Sequence, residues 1–594
     1  MLPHDPLCRV LYVDLARRRS WVEERTDLFA ETLGGAGVGI RLLDEECPPG
    51  ADPLGPENPI ILTVGPLVGL FPVASKTVAM FKSPHTGNLG ESHAGGRSAV
   101  ALRMAGYGAA VIRGASPTPI YLVIEEGQVH FRDAAALWGM HSSYTAGSVL
   151  RKRESGSGMR SIMRIGRAGE RLVSYACVIT ETYRHFGRLG FGAVWGSKRL
   201  KAIVVSGKRS LPVADRRAYR QTYDRIFQAA TQSELMKKYH DLGTAMNVEP
   251  LNSIGGLPTR NLQSGQFEGA AAISGERLAE DYLGRRVACA HCPVACIHLA
   301  ALRLPYPNDP YFYKTVMLGY DHEPIYATGS LLGLDDVPGM LQLMDEIEVQ
   351  GLDVMSAGVA LAWATEAQER GIITPQETDG LVLSFGQAQP YIEAVRRIVS
   401  QPTDFYRALA QGVEHAASLY GGVEFALAFG GNEMPGYHTG PACHVGYLTA
   451  ARHSHLDSAG YSLDQQAVQT GADLIPKDVA DALLAEERWR QVLTSLVICL
   501  FARSVYSPEV VLQALSSTGH NWSEDGLDKL GADILRRKYK FKQREGFSAA
   551  ELRVPQRILE TSAPAGPFDE AFIREAIARY ETQVKSHHSG ESKR

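Results

Sequence analysis

Three cysteines lie close together near the middle of the chain: Cys289, Cys292 and Cys296, in the run Cys-Ala-His-Cys-Pro-Val-Ala-Cys. Three thiolates in so short a segment can hold three corners of an iron–sulfur cluster. The two-residue gap precedes the three-residue gap, which is the reverse of the order expected in radical SAM enzymes. The run therefore predicts an electron-relay cluster whose fourth ligand comes from elsewhere in the chain.

Two other interpretations of the run remain open. A structural zinc site usually shows two separated pairs of ligands rather than three thiols and a distant fourth. His291 and His298 flank the run and could complete such a site. The three cysteines could also simply be buried thiols.

Length, charge and cysteine content limit the classes of protein to consider. A chain of 594 residues exceeds what one hydrophobic core usually serves, so we expect two to four domains. The formal net charge is -4 with mixed signs, which gives no basic stripe for nucleic acid. Eight cysteines are too few for a disulfide scaffold, and clustered thiolates need a reducing compartment, so a cytoplasmic protein is expected. No apolar stretch reaches the roughly 18 residues needed to span a membrane.

The secondary structure that must position the cysteines is predicted to change from mainly strands to mainly helices along the chain. This order predicts an α+β fold. Residues 1–210 are rich in glycine and in short β-branched runs, which indicates a β-rich domain with strands at 60–64, 109–112, 120–124 and 202–205. From residue 211 the apolar residues recur at helical spacing. The predicted helices include residues 218–242, 337–350, 358–370, 390–400 and 477–503. We expect helical domains at 211–420, with the cysteine run, and at 421–584, followed by a frayed tail at 585–594.

Two glycine-rich segments, residues 34–39 and 187–192, resemble phosphate-binding loops. Neither follows a convincing strand with an acidic residue about 20 positions later, so a dinucleotide site of the Rossmann type is not expected. Close approach of the backbone to another phosphorylated cofactor is the favoured interpretation. Plain tight turns are the alternative.

A series of motifs resembles the tungsten-containing aldehyde:ferredoxin oxidoreductase family. The matching segments are residues 63–69, 82–87, 95–97, 165–170, 187–198, 200–203, 257–261, 289–296 and 351–353. They occur in order between about residue 30 and about residue 510. The resemblance implies a β-rich N-terminal domain that cradles a tungsten or molybdenum bis-molybdopterin centre, followed by two mainly α-helical domains. It also implies a [4Fe-4S] cluster and a magnesium ion near the cofactor phosphates.

The resemblance assigns roles to individual residues. It implies Cys499 as the fourth cluster ligand. It implies cofactor contacts at Lys76, His93, Gly95, Gly96, Arg188, Gly190, Gly192, Glu348, Gly351, Asp353 and Thr494. The implied activity oxidises an aldehyde to a carboxylic acid and passes the two electrons singly through the cluster to ferredoxin or an iron–sulfur subunit. A homo- or hetero-oligomer is also expected.

Two residues are candidates for acid–base chemistry. Glu323, in the segment 320–325, aligns with a glutamate that the family places near the metal, where it could orient or deprotonate water. His455, in the segment 451–457, could hydrogen-bond the substrate oxygen. The alternatives are a surface ion-paired acid and a core histidine. His438, Cys443, His444 and His453 lie near His455 in sequence, so a separate metal site also stays open.

Four positions depart from the family pattern: Lys76 replaces an arginine, His93 an asparagine that helps bind magnesium, and Glu348 and Thr494 replace aspartates. Lysine keeps the charge but loses the bidentate fork, and threonine lacks the paired oxygen acceptors of a carboxylate. These changes put one pterin contact and the magnesium ion in doubt. They leave two alternatives: an aromatic acyl-CoA or carboxylic-acid reductase-like enzyme with partner electron-transfer subunits, and a non-enzymatic electron-transfer or assembly subunit.

Overall fold

A computed structural model describes residues 5–181, 183–306 and 308–586. The N-terminal part is built on two mixed sheets. The strands are β1 (Arg9–Asp14), β2 (Arg19–Glu24), β3 (Ile60–Thr63), β4 (Thr77–Lys82), β5 (Leu89–Ala94), β6 (Ala109–Arg113), β7 (Ile120–Glu125), β8 (Gln128–Asp133), β9 (Met159–Ile165), β10 (Val178–Thr180), β11 (His185–Phe186) and β12 (Leu200–Gly207). The helices are α1 (Thr26–Thr32), α2 (Gly35–Glu46), α3 (Ser98–Ala105), α4 (Ser143–Arg153), α5 (Arg167–Glu170) and α6 (Phe191–Ser197).

The first sheet has the strand order β2-β1-β6-β3-β4-β5, and the second has the order β11-β10-β9-β12-β7-β8. Every position of β3, β4 and β12 is buried, so both faces of these strands are covered. Strands covered on both faces read as continuous apolar runs rather than as alternation. The strands predicted at 60–64, 109–112, 120–124 and 202–205 are confirmed.

The rest of the chain is mainly helical. Its helices are α7 (Arg216–Gln232), α8 (Glu234–Asp241), α9 (Val248–Ile254), α10 (Gly275–Asp281), α11 (His322–Thr328), α12 (Val337–Gln350), α13 (Val354–Glu369), α14 (Ala388–Ser400), α15 (Asp404–Leu409), α16 (Val413–Tyr420), α17 (Pro441–Thr449), α18 (His455–Ser458), α19 (Gly460–Thr470), α20 (Pro476–Ser495), α21 (Pro508–Ser517), α22 (Glu524–Arg544), α23 (Arg557–Glu560) and α24 (Glu570–Lys585). The α+β class is confirmed. None of these helices is long and apolar enough to cross a membrane. The predicted frayed tail lies almost entirely outside the described residues, which end at 586.

A sheet inside the helical part was not predicted from the sequence. The strands β13 (Leu283–Val287), β14 (Ile297–Tyr306) and β15 (Asp309–Tyr320) pair antiparallel in that order. A short ladder of β16 (Ala428–Phe429) and β17 (Asn432–Glu433) follows later. Much of β15 is exposed although residues 311–313 are aromatic, so its apolar residues do not show the alternation that identifies a half-buried strand.

Two predicted helices were wrong in extent. The helix expected over 218–242 is divided at Ser233, whose hydroxyl accepts from the amide of Met236 and starts α8. The helix expected over 477–503 ends at Ser495. Val497 then has a φ of 55°, and Ile498 forms an isolated antiparallel bridge with Ala74 of the N-terminal part. The chain after α20 is therefore shaped by a contact distant in sequence.

Candidate active site

The cysteine run forms the connection between β13 and β14, which places it at one end of the third sheet. Its backbone turns back on itself: His291 and Ala295 have φ angles of 57° and 53°. The amide of Ala290 donates to the carbonyl oxygen of Gly96 at 2.8 Å, which ties the run to the N-terminal part. The run is thus a loop held against the first sheet rather than part of a helix.

Val73 joins this loop to the segment after α20. Its amide donates to the carbonyl oxygen of His291 at 3.0 Å, and its own carbonyl oxygen accepts from the amide of Cys499 at 3.0 Å. The amide of Lys76 donates to the carbonyl oxygen of Val497 at 3.2 Å. One short segment of the N-terminal part therefore brings Cys499 to the three clustered cysteines.

The four cysteines share an environment that the other cysteines lack. Cys289, Cys292, Cys296 and Cys499 are partly exposed, whereas the other free thiols are buried. Burial, together with the neighbouring thiols, raises the pKa of Cys292 to about 12. Although burial opposes it, the Cys296 thiolate and the Asp321 carboxylate raise the pKa of Arg184. Four thiols grouped beside a buried cation are suited, once they lose their protons, to binding a positively charged inorganic core.

Glycine is required at position 95, because the side chains of Cys289 and Lys76 lie very close to its backbone. A Cβ at this position would lie 2.8 Å from the Sγ of Cys289 and 3.4 Å from the Nζ of Lys76. Any side chain here would displace the thiol or the ammonium group. The ammonium group of Lys76 and the thiol of Cys289 therefore both lie close to the side of Gly95 on which a side chain would stand.

A cavity of about 270 Å³ is lined by Lys76 and Gly95, and a second cavity of about 160 Å³, which adjoins it, is lined by Cys499. They lie where the N-terminal sheets meet the helical part. Residues that line both are Lys76, His93, Gly187, Met355, His455, Leu456, Leu500 and Phe501. Glu348 and Asp353 line the larger cavity and Arg188 the smaller one.

Glu323 and His455 meet at the wall of the larger cavity. Glu323 is in the first turn of α11, and His455 is the first residue of α18. The Oε1 of Glu323 lies 3.4 Å from the Nε2 of His455, and the side chains are 14% and 9% exposed. The amide of Gly436 donates to Glu323 Oε2 at 2.9 Å. The structure thus brings the two acid–base candidates together, and Glu323 is not an acid of the outer surface.

Burial sets the charge state of this pair. It raises the pKa of Glu323 to about 8 and lowers the pKa of His455 well below its usual value. At neutral pH the carboxyl group of Glu323 therefore holds its proton and the imidazole of His455 is neutral. Glu323 Oε1 and His455 Nδ1 are buried without a hydrogen-bond partner among the described residues.

Aromatic rings line the cavity next to this pair. The ring of Tyr437 lies 5.3 Å from that of His455 and stacks on Tyr461 at 4.5 Å. Tyr239 and Phe501 form a second stacked pair at 5.4 Å. These rings make the wall flat and largely apolar, which lowers the local dielectric constant around Glu323.

Arg188 offers an unused hydrogen-bond donor to the smaller cavity. Its Nε lies 3.2 Å from Asp353 Oδ2, and its Nη2 donates to the carbonyl oxygen of Glu433 at 2.6 Å. Its Nη1 is buried and has no partner in the described part of the chain. An unpaired buried N–H group of a guanidinium is costly, so this position suits an anionic ligand.

A buried network behind Arg188 was not predicted from the sequence. His85 Nε2 lies 2.7 Å from Glu433 Oε2, and the hydroxyl of Ser356 donates to the same oxygen at 2.7 Å. Although burial opposes it, His85 and Ser356 lower the pKa of Glu433 to about 2. The sequence could have indicated His85, because it lies within the family motif at residues 82–87. No sequence pattern marks Glu433, because it lies in a two-residue strand.

The remaining predicted cofactor contacts fall into two groups. Lys76, His93, Gly95, Glu348 and Asp353 line the larger cavity. Glu348 lies 2.9 Å from the Nε2 of His185 through its Oε2. The structure does not place the other group on the cavity walls: Gly96, Gly190, Gly192, Gly351 and Thr494.

These positions pack against backbone instead. A Cβ at Gly190 would lie 2.1 Å from the carbonyl oxygen of Ser174, and one at Gly351 would lie 2.9 Å from the amide nitrogen of Gly166. The hydroxyl of Thr494 donates to the carbonyl oxygen of Gln491 within α20.

Both glycine-rich segments serve close packing. A Cβ at Gly192 would lie 2.5 Å from the carbonyl oxygen of Cys177. One at Gly35 would lie 2.2 Å from the carbonyl oxygen of Thr494. The glycines of both segments therefore allow close backbone packing where a helix begins, α2 in one case and α6 in the other.

The dense histidine group near His455 does not converge on one point. His438 Nδ1 lies 2.9 Å from His444 Nε2, whereas His453 Nε2 lies 2.9 Å from the Nζ of Lys542. In the described ranges, no three or more His, Cys, Asp or Glu side chains surround a position suited to one metal ion. This gives no support to a separate mononuclear site there, or to zinc at the cysteine run.

Comparison with known proteins assigns the chain to one family. Residues 10–207 match the model of the aldehyde ferredoxin oxidoreductase N-terminal domain, and residues 221–585 match that of domains 2 and 3. The chain belongs to the aldehyde ferredoxin oxidoreductase family. It is therefore an oxidoreductase, which excludes the non-enzymatic alternative.

Characterised relatives cover nearly the whole chain. A tungsten-containing aldehyde ferredoxin oxidoreductase of Thermococcus kodakarensis is 33% identical over 96% of this chain and 95% of its own. A protein of the same name from Pyrococcus furiosus is 31% identical over the same shares. The WOR-like subunit of an aliphatic sulfonate oxidoreductase of Pyrococcus furiosus is 26% identical over 89% of this chain and 84% of its own.

A solved structure shares the fold of this family member. It is the active-site complex BamBC of benzoyl coenzyme A reductase with 1,5-dienoyl-CoA, with a TM-score of 0.84 and 20% identity. It covers 99% of this chain and 95% of that chain. At this identity the likeness concerns the fold alone.

Proposed function

We propose that this chain is a tungsten (or molybdenum) bis-pterin oxidoreductase that oxidises aldehydes to carboxylic acids and passes electrons to ferredoxin. The observation that carries the proposal is the Glu323–His455 pair, 3.4 Å apart at the wall of the larger cavity, with Cys499 at the wall of the smaller cavity that adjoins it. An acid–base pair close to a group of cysteines is the arrangement that coupled proton and electron transfer needs.

Three groups are implied: an iron–sulfur cluster, a metal-pterin cofactor and a magnesium ion. The residues present are suited to the first two. Cys289, Cys292, Cys296 and Cys499 would hold a [4Fe-4S] cluster, which matches their four thiols and their shared exposure. The unpaired Nη1 of Arg188 would contact an anionic part of the pterin cofactor. Glu348 and Lys76 would contribute further polar contacts from the cavity wall.

Magnesium does not fit the residues near His93. Its Nε2 lies 2.7 Å from Glu91 Oε1, and burial lowers the pKa of His93 to about 4. Glu91 is itself paired with Lys538. Magnesium prefers oxygen ligands, and the carboxylate here is already engaged by a buried ammonium group.

When bound, the tungsten or molybdenum centre supplies two-electron oxidation, and the cluster supplies one-electron transfer. The overall reaction converts an aldehyde and water into a carboxylic acid, two protons and two electrons. The neutral imidazole of His455 would donate a hydrogen bond to the carbonyl oxygen of the substrate. The ionised fraction of Glu323 would accept a proton from water at Oε1, the oxygen that lacks a partner.

The runner-up function is a reductase of aromatic acyl-CoA or carboxylic acids that works with partner electron-transfer subunits. The stacked pairs Tyr437–Tyr461 and Tyr239–Phe501 favour it, because flat rings at the cavity wall suit a flat substrate. Both functions need a reducing environment for the thiolates, so we propose a cytoplasmic location.

Analysis of anaerobically purified protein tests the proposal. We expect tungsten or molybdenum, extractable pterin and about four iron atoms per chain, because the cysteines match a [4Fe-4S] cluster. Simple aldehydes should reduce a viologen dye in its presence, whereas aryl-CoA thioesters should not be reduced. Absence of both metals would overturn the cofactor class, and turnover of only the thioesters would favour the runner-up.

A further inference from the structure

An open basin of about 580 Å³ lies beside the cysteine loop, on the outer surface. Its lining residues are Arg97, Ser155, Gly158, Met159, Arg160, Ala288 and Ala290. Ala288 and Ala290 flank Cys289, so the loop itself forms one wall. We call this feature the basic basin.

The arginines of the basic basin lack acidic partners. Arg97 is exposed, and its side chain forms no hydrogen bond or ion pair within the described segments. Arg160 is half-buried, and its Nη1 donates only to backbone carbonyl oxygens, including that of Ser155 at 2.7 Å. Arginines elsewhere on the surface, such as Arg225 with Glu509, are often paired with carboxylates.

Two further arginines extend this charge along β13. Arg285 and Arg286 are exposed and come three to four residues before Cys289. Neither pairs with a carboxylate in the described residues, and Arg286 donates to the backbone carbonyl of Asp241 at 3.4 Å. The chain as a whole has a net charge of -4, so this uncompensated positive group stands out against its surroundings.

We propose that the basic basin is the docking surface for a small acidic iron–sulfur carrier protein that takes electrons one at a time from the cysteine loop. This inference rests on the proposed function and adds the place and the chemistry of its partner. Unpaired guanidinium groups attract an acidic surface and speed its encounter. Electron tunnelling weakens steeply with distance, so the carrier must bind directly over the cluster ligands.

The reaction balances with this partner as the oxidant. One aldehyde and one water give one carboxylic acid and two protons, and two oxidised carriers each take one electron to become reduced. The basin lies next to Cys289, which would be the ligand nearest the carrier. A second copy of this chain is a poorer occupant, because its net charge of -4 is small for its 594 residues and its charges are mixed.

The double variant Arg97→Glu with Arg160→Glu tests the proposal in the cofactor-loaded enzyme. We expect its KM for an acidic [4Fe-4S] ferredoxin to rise about tenfold or more, since electrostatic steering changes association rates by about 10 to 1000-fold. The rate at which aldehyde alone reduces the enzyme, followed by cluster absorbance, should not change. For the parent enzyme, kcat/KM for ferredoxin should fall as salt rises, and this dependence should weaken in the variant.

The matched control is Lys529→Glu with Lys540→Glu, which makes the same charge change on α22. Both lysines are exposed, and neither forms an ion pair within the described residues. This control should leave the KM for ferredoxin near that of the parent at equal ionic strength. If the basin variant does not fold, Arg97→Gln alone provides a milder change, for which a smaller increase in KM is expected.

The outcomes separate this inference from the proposed function. A normal KM for ferredoxin in the basin variant, with normal reduction by aldehyde, would overturn the docking surface and leave the proposed function standing. Failure of any aldehyde to reduce the parent enzyme would overturn the proposed function itself. A change in oligomeric mass in the variant, without a change in KM, would assign the basin to contacts between copies and refute the carrier.

Discussion

Glu323 holds a proton under conditions in which most carboxyl groups have lost theirs. Burial raises its pKa to about 8, and the hydrogen bond from the Gly436 amide only partly opposes this. The ionised form would face His455, whose own protonation burial prevents. Ionising Glu323 therefore lowers the stability of the folded protein. Such a cost is typical of functional sites rather than of purely structural ones.

The raised pKa of Glu323 predicts that the stability of the folded protein depends on pH. Glu323 ionises near pH 4.5 when unfolded and near pH 8 when folded, so stability from this group is present below pH 4.5 and is lost as pH rises towards 8. Glu323→Gln removes that loss. The variant should unfold at a higher temperature than the parent at pH 8, by an amount that corresponds to a few kcal/mol, and the gap should shrink towards pH 5.

Thermal unfolding followed by circular dichroism at several pH values measures this gap. Glu57→Gln, at an exposed position outside the cavity, is the control for the change from a carboxyl to an amide, and its melting temperature should stay near that of the parent. A gap for Glu323→Gln that stays constant between pH 5 and pH 8 would contradict the raised pKa.

Cys499 supports a second prediction at this scale. If it is the fourth ligand, Cys499→Ser should lose the normal electron paramagnetic resonance signal of the reduced cluster and lower the iron content. Tungsten and pterin should remain largely bound, since Cys499 is the only residue lining the two cavities that this variant changes. Cys47→Ala, at a buried thiol of the N-terminal part, is the control and should keep the signal. An unchanged cluster spectrum in Cys499→Ser would refute the assignment.

At the scale of elements, the end of α20 fixes the position of Cys499. Gly34 and Gly35, at the start of α2, leave room for the carbonyl groups of Thr494 and Ser495. The amide of Gly37 donates to the Ser495 hydroxyl at 3.2 Å. The first turn of α2 therefore holds the last turn of α20.

Gly35→Ala should disturb this contact. The new Cβ would lie 2.2 Å from the Thr494 carbonyl oxygen, so α20 or α2 must shift. Both the melting temperature and the iron content per chain should fall, because the shift moves the backbone before Cys499. Gly50→Ala is the matched control, since Gly50 also has a positive φ, of 72°, but nothing lies within 4 Å of a Cβ there. Equal losses in the two variants would attribute the effect to backbone strain alone.

The elements show what the sequence could predict. The strands at 60–64 and 202–205 were predictable, because their buried β-branched runs express a local preference as well as a tertiary one. The end of α20 was not, because apolar spacing continues past Ser495 while Lys76 and Ala74 impose the bend at 497–498. The family motifs indicated Glu323, His455 and Cys499, whereas Glu433 required the fold.

At the scale of the whole molecule, helices of the C-terminal part brace the N-terminal sheets. Lys82, at the end of β4, lies 2.5 Å from the carboxylate of Glu545, just after α22. The side chains are 8% and 1% exposed. Glu545 also receives the Nε of Arg544 at 2.8 Å and the amide of Gly50 at 3.2 Å. The pair thus connects regions that are far apart in sequence at a largely dry interface.

Lys82→Met should therefore destabilise the protein by about 3 kcal/mol, because it leaves Glu545 buried with less positive charge. Adding Glu545→Gln should restore part of this loss. Chemical denaturation of the two single variants and the double variant measures the coupling energy. A cost near zero for Lys82→Met would show that Arg544 and Gly50 satisfy Glu545 without the lysine.

The position of Val73 between the cysteine loop and Cys499 has a consequence for biosynthesis. The ribosome releases Cys289, Cys292 and Cys296 long before it reaches Cys499, and the fourth thiol arrives only when α20 has been made and has packed against α2. A nascent chain that ends before Cys499 thus contains three of the four thiols and lacks the fourth. If these four cysteines hold the proposed cluster, delivery of iron and sulfide must follow synthesis of the C-terminal helices, and truncated chains should leave the ribosome without a stable cluster.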